Sequence, residues 1–408
     1  MTLPRMGTFV VTALGLTFVF AVAGAPIPMM QIYREQGVTI ADFAHVSIGY
    51  FIAAAVGLAC FGRASAVLGR RPVSMAAVLI GAASCVALIK VDGARELIIG
   101  RTLQGLACGL APGSLGAWVV DAGGPGRRIP AALTGTAPMI GLPLGALVAA
   151  GLVEFASWQP EQVFAFQALL LGAVGILLAF GKETIAVQRP FIKARSSQGR
   201  SGQRIPRRAV AIAAGVLVAT WFLGGFFQAY GSIVAVDLLG TSSALIAALA
   251  FASVMLLNPL GAAIGGLLPP RVAVPVGLTV FLFAMVATVE ALRVASVAGL
   301  IACGLLCGCA QGVASTGSMR LLLPRLPKAN RSEALTVIYF AAYLSVAVYA
   351  AIGAVVGSHV NLTTLAMTYA AVGSVPLLAV VALACLPSTS RALTADAGHP
   401  AAQAGTVS

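Results

Sequence analysis

The chain has 408 residues, 59% of them hydrophobic and only 9% charged, with a mean hydropathy of +0.98. Soluble domains give about 25% of their residues to Asp, Glu, Lys and Arg, so this composition excludes a soluble globular domain and points to a membrane protein. The formal charge of +13 would suit nucleic-acid binding, but the 25 Lys and Arg stand as short clusters between apolar runs rather than along one face, and we read them as topology.

A bilayer core takes about 20 apolar residues per helix. On that ruler the first part of the chain predicts spans at 7–29, 43–62, 73–90, 97–120, 131–152 and 163–181. The first run lacks a small-residue cleavage site with polar sequence behind it, so a first transmembrane helix is expected there rather than a cleaved leader. Residues 182–208, KETIAVQRPFIKARSSQGRSGQRIPRR, are too charged and too rich in Gly, Ser and Pro to span anything, and predict a central linker. Spans follow at 209–230, 243–266, 272–290, 295–318, 334–357 and 363–386, with LLPPRVAVPVG breaking the stretch 243–290 into two, and a polar tail closes the chain. The predicted fold is all-α and integral to the membrane, with twelve transmembrane helices. Its parts are a six-helix bundle over 1–181, a basic linker over 182–208, a second six-helix bundle over 209–386 and a flexible tail over 387–408.

Positively charged loops are retained on the cytoplasmic side of a membrane. With the N-terminus inside, twenty of the basic residues fall on that side, including Arg63, Arg70 and Arg71 of the hairpin FGRASAVLGRRPVS. Only Arg34, Lys90, Arg95 and Arg293 fall on the other side, and Arg101 lies within a span. Both termini are therefore expected to be cytoplasmic, in a plasma (bacterial inner) membrane. The halves also resemble each other: LQGLACGLAPGS at 103–114 parallels AQGVASTGS at 310–318, which puts Gln104-Gly105 and Gln311-Gly312 207 residues apart. The same shift carries helix 1 onto helix 7, helix 5 onto helix 11 and helix 6 onto helix 12, the pattern of six-helix repeats in parallel orientation.

An arginine in a span costs about 2.5–3.5 kcal/mol on insertion scales, so Arg101 is expected either to face a cavity or partner or to snorkel to the nearer surface. The twelve acidic residues all fall in loops or at span ends, so no mid-membrane carboxylate stands out as a proton carrier. Asp121, at the end of helix 4, is expected either to pair with Arg70 or Arg71 or to be a solvated helix-end acid. Tyr50, Gln167, Trp221, Gln228, Tyr230, Asn258 and Gln311 are polar or aromatic residues within spans, and are candidates for a central cavity. GLPLGALVAAG at 141–151 sets Gly141, Pro143 and Gly145 in helix 5, which predicts close helix approach and a bend. Cys303, Cys307 and Cys309 have no His or carboxylate near them in sequence, so no metal and no cofactor is expected.

Twelve spans, a basic central loop, repeated halves and a Gly-Arg-Arg hairpin after helix 2 resemble the major facilitator superfamily over nearly the whole chain. Gly62, Gly69, Arg70 and Arg71 occupy the glycine and basic positions of its signature between helices 2 and 3, while Ala66 stands where the family has Asp. The resemblance implies that this hairpin is a cytoplasmic gate loop, with Asp121 matching a recurrent acid after helix 4. Arg101, Gln104 and Gly105 meet the family's Arg-x-x-Gln-Gly pattern, whose arginine is implicated in coupling in proton-driven members. Gly141, Pro143 and Gly145 match the helix 5 element of exporters in part, in a different register.

The resemblance implies a secondary transporter working by alternating access on a small organic solute. Few charges and 7% aromatic residues suit a hydrophobic or amphiphilic cargo, and proton-coupled efflux is the expected activity. The alternatives are a proton symporter or uniporter for uptake and, from another class, a non-transporting membrane sensor or scaffold. Expected partners are the solute, protons and the lipid bilayer, with no nucleic acid, and the protein is expected to be a monomer. An enzyme is not expected, because His45, His359 and His399 are far apart in sequence and no Walker-type loop is present.

Overall fold

The computed structural model describes residues 2–62, 64–124, 128–185, 206–326, 330–357 and 359–385. Among these residues every regular element is helical, and twelve helical spans are long and apolar enough to cross a bilayer. In the first half they are α1 (Arg5–Glu35), α2 (Ile40–Phe61), α3 (Arg70–Ile89), α4 (Ala94–Gly123), α5 (Ala132–Ala156) and α6 (Pro160–Ala179). In the second half they are α7 (Arg207–Asp237), α8 (Ala244–Leu267), α9 (Pro270–Arg293), α10 (Val297–Arg325), α11 (Glu333–Val356) and α12 (Leu362–Cys385). The break expected within 243–290 falls at Leu268 and Pro269.

Several spans run past the ends that hydropathy marks: α1 continues to Glu35, α7 to Asp237 and α10 to Arg325. Apolar counting stops at the first polar residues, whereas backbone hydrogen bonding continues beyond the hydrocarbon. Residues 186–205 of the expected linker, the last residue of the predicted span 363–386 and the whole expected tail, 387–408, lie outside the described residues.

Proline and caps shape the helices. Pro26 and Pro28 convert α1 to a 3₁₀ turn at Ile27–Met29, and Pro112 opens a π-helical segment, Pro112–Gly116, inside α4. In both places the missing N–H removes an i to i−4 bond. α2 starts on a capping box in which Asp42 N donates to Thr39 Oγ1 (3.2 Å) and Thr39 N to Asp42 Oδ2 (2.9 Å).

Within each half, glycines set the helix spacing. A Cβ at Gly105 of α4 would overlap the Tyr50 carbonyl of α2, and one at Gly145 of α5 would overlap the Ala21 carbonyl of α1. In α10 a Cβ at Gly312 would overlap the Asn258 carbonyl of α8. Lipid tails are as apolar as Leu, so such backbone approach supplies the van der Waals contact that the hydrophobic effect does not.

The halves meet along α2 with α11, α5 with α8, and α1 with α7. At the end away from the Arg70 hairpin, Arg34 of α1 pairs with Asp237 of α7 at 2.8 Å. There too, Glu154 of α5 accepts from Ser243 Oγ (2.8 Å) and Leu245 N (2.8 Å) at the start of α8, and Ser232 Oγ donates to Ile27 O (2.7 Å).

Candidate functional site: a cavity between the two halves

A cavity of about 50 Å³ lies between the halves. α1, α2 and α5 supply Phe20, Tyr50, Phe51, Met139 and Leu142, and α7 to α11 supply Thr220, Trp221, Gln228, Met255, Phe281, Gln311 and Tyr343. Among the described residues that line it, none is charged. A second cleft, of about 470 Å³, is bounded by Arg5, Phe9, Gly124 and Ile129 of the first half alone, so it does not lie on the interface.

Four of the seven predicted cavity residues, Tyr50, Trp221, Gln228 and Gln311, line the cavity. Asn258 stands one step behind, its Nδ2 donating to Gln311 Oε1 (3.2 Å). Tyr230 is packed in an aromatic cluster with Phe226 and Tyr369, at ring separations of 5.4 and 6.3 Å, and Gln167 is buried on α6. Neither lines the cavity. Thr220, Phe51, Met139 and Tyr343 were missed. Tyr343 has a partial signal in Trp221, against which its ring packs edge to face at 5.3 Å.

Arg101 is 1% exposed, so it does not snorkel to a surface. Its Nη1 donates to Ala23 O and to Gln104 Oε1 (2.8 Å), and its guanidinium lies 4.5 Å from the centroid of the Tyr50 ring. Pro26 has no N–H to give back to Val22 O, which accepts from Ala25 N (3.3 Å) and from Gln104 Nε2 (3.1 Å). A desolvated cation over an aromatic face gains about 2 kcal/mol. The opposite face of the matter is charge: every partner of this guanidinium is neutral, so its positive charge is felt at Tyr50, on the cavity wall.

The second half repeats the glutamine without the charge. Gln311 Nε2 donates to Thr220 Oγ1 (3.2 Å), and its Oε1 is occupied by Asn258. The residue in register with Arg101 is Gly308, where an added Cβ would meet the Val254 backbone at 3.0 Å.

At the hairpin, Gly69 has φ +108° and opens α3. The first amides of that helix, Arg70 N and Arg71 N, donate to Glu183 Oε1 (3.1 Å) and Oε2 (3.0 Å), placing a carboxylate on a helix N-terminus. Arg70 Nε pairs with Asp121 Oδ2 at 2.9 Å, and Arg70 Nη1 donates to Ser65 Oγ (2.8 Å), which in turn donates to Gly113 O. Gly62 ends α2, and a Cβ on Gly113 would overlap its carbonyl. Ala66 is exposed on the short helix Ala64–Leu68, and the acids of this corner come from Asp121 and Glu183 instead. Glu183 was counted with the linker, because no local pattern ties it to a helix 113 residues earlier. In α5, Gly141 and Gly145 lie against Thr17 and Ala21 of α1, with Pro143 between them inside the helix.

The sequence matches the Major Facilitator Superfamily over residues 9–267. No curated protein matches it. Among solved structures, a point mutant of the nucleoside transporter NupG superposes with a TM-score of 0.69 at 12% identity, covering 92% of this chain and 99% of that one. At that identity the likeness shows the fold. With more than half of the chain matched by the family and nearly all of it by the fold, the chain belongs to the major facilitator superfamily and is an integral membrane protein built as that family's transporters are.

Proposed function

We propose that the protein exports small organic, hydrophobic or amphiphilic solutes by alternating access, in exchange for protons. The observation that carries this reading is the cavity between the halves, lined by aromatic and aliphatic side chains with a few hydrogen-bonding groups. Such a lining rewards apolar burial at about 25 cal/mol per Å² and offers no counter-ion to a charged solute. With the hairpin end in the cytoplasm, Arg34–Asp237 and the Glu154 contacts close the outer side, and rocking of the halves would open it.

Coupling is assigned to Arg101, whose buried charge has only neutral partners and therefore responds to any charge entering beside Tyr50. The glycines of α5 packed on α1 support export through their resemblance to the exporter element. Uniport is the second reading, favoured by the lack of a carboxylate among the described cavity-lining residues. On this reading the protein sits in the bacterial inner membrane as a monomer with both termini cytoplasmic.

Proteoliposomes with a pH-sensitive dye in the lumen test this. An amphiphilic solute gradient should drive proton movement in the opposite direction, and an imposed pH gradient should drive the solute. Solute flux that ignores pH establishes the uniporter, and no flux of any solute establishes the sensor or scaffold.

A further inference from the structure

Two buried amides, Gln167 at Oε1 and Gln228 at Nε2, have an atom without a partner among the described residues, and of the two Gln228 lines the cavity. Gln104 spends its amide on Val22 O and Arg101, and Gln311 spends both ends on Thr220 and Asn258. Gln228 is 3% exposed, lines the cavity, and its Nε2 has no hydrogen-bond partner among the described residues. A buried polar group left unpaired costs about 1–3 kcal/mol, so an amide held there is a demand for a ligand group.

The surroundings say which group. A primary amide presents one donor and one acceptor side by side, and the complement is an adjacent N–H and C=O, as in a lactam. Trp221 lies seven residues earlier on α7, two turns and about 10 Å along the same face, the length of a fused ring system. Between them Gly224 and Gly225 also line the cavity, packed against Met255 and Val346. At the Trp221 end, Tyr343 packs edge to face at 5.3 Å and Phe51 follows at 6.5 Å, forming an aromatic wall. Arg101 already occupies one face of Tyr50, which disfavours a second cation there.

Resting on the transport reading for its route but not for its chemistry, we propose that this cavity is a binding site for uncharged, flat aromatic compounds bearing a lactam edge. The ring system lies against Trp221 and Tyr343, and the lactam forms a paired hydrogen bond with the Gln228 amide.

The test uses wild-type protein in lipid nanodiscs and equilibrium dialysis of radiolabelled 2-quinolone, N-methyl-2-quinolone and N-methylquinolinium, with empty nanodiscs subtracted. Methylation removes the lactam donor at nearly constant area. Wild type should hold 2-quinolone about tenfold more tightly than its N-methyl analogue, and the cation most weakly. Gln228→Leu should bring the two quinolones to within about twofold of each other, and Gln228→Met serves if the Leu variant does not fold. Equal affinities in wild type, preference for the cation, discrimination that survives in a folded variant, or no binding of either quinolone overturns the proposal. The same probes in proteoliposomes keep the two readings apart. Discrimination without movement across the membrane overturns transport alone, and movement of amphiphiles without discrimination overturns the lactam site alone.

Discussion

α4 and α10 carry the same Gln-Gly pair, and around it the two helices have parted company. One turn before Gln104 stands Arg101, drawing Ala23 O and the Tyr50 ring around a buried charge. One turn before Gln311 stands Gly308, where the Val254 backbone comes within reach and no side chain is accommodated. The glycines after the two glutamines nevertheless do one job, each lying against a carbonyl of the neighbouring helix, Tyr50 in one half and Asn258 in the other. Backbone spacing is a packing condition that both halves must meet, whereas the polar groups that the spacing holds are open to divergence. The result is a scaffold that is symmetric in its contacts and asymmetric in its charge.

The shared part of the comparison is the easiest to break and carries the largest expected effect. Gly105→Val and Gly312→Val should each lower the yield of monodisperse protein by more than about tenfold, since overpacking against backbone cannot be relieved by a rotamer change. Gly172→Val should not, because nothing lies within 4 Å of the Cβ it would add. Size-exclusion profiles of the three variants check this. Tolerance at one of the paired sites and not the other would mean that the halves are not packed alike.

The divergent part is sharpened by removing one polar group from each half. Arg101→Leu should cut initial transport rates at least about tenfold, leaving Ala23 O and Gln104 Oε1 without their donor and the cavity wall without its charge. Gln311→Leu removes only neutral bonds to Thr220 and Asn258 and should cost roughly threefold. Arg101→Lys should rescue little, since an ammonium lacks the planar face that lies over Tyr50. Rates per folded molecule in proteoliposomes decide the order. A larger loss at Gln311 would show that charge is not what distinguishes the halves.

What could be read beforehand follows the same division. Twelve spans, the break at Leu268 and Pro269, and the register of Gln104 with Gln311 were legible because hydropathy and repeat offsets are linear properties of a chain. Arg101 was legible as an anomaly, since a cation in a span demands an explanation. The cavity was legible in part. Polarity within a span marks Gln228 and Tyr230 equally, yet one faces the space between the halves and the other is enclosed among aromatic rings, a difference set by helix rotation. Glu183 was not legible as a helix cap at all, because it reaches α3 through a contact that no local spacing encodes.

The two halves also secure their corresponding hairpins, α2–α3 and α8–α9, in opposite ways, and each matches a helix dipole. Glu183 puts a carboxylate on the N-terminus of α3, whereas Arg320 Nη1 donates to Gly265 O (2.9 Å) and Leu268 O (2.7 Å) at the C-terminal end of α8. Glu183→Gln and Arg320→Ala should each lower stability by about 1 kcal/mol. Thermal melts in detergent should show both effects shrinking with added salt, the Arg320 effect more, because Arg320 is exposed and Glu183 is half-buried.

The smallest effect is expected where the halves touch at the far end. Arg34 and Asp237 form a close pair, but their side chains are 32% and 31% exposed, so the pair is worth at most about 1 kcal/mol and is screened by salt. That is little for folding and enough for a balance between two conformations, where 1 kcal/mol shifts a population ratio about fivefold. Arg34→Ala should therefore leave the melting temperature nearly unchanged while moving the molecule toward the state open at this end. Spin labels on the facing ends of α1 and α7 should report a larger long-distance fraction in the variant than in wild type, and wild type should approach the variant as salt is raised. Identical distance distributions would leave Glu154, with its bonds to Ser243 and to the Leu245 amide, as the contact that holds the end shut.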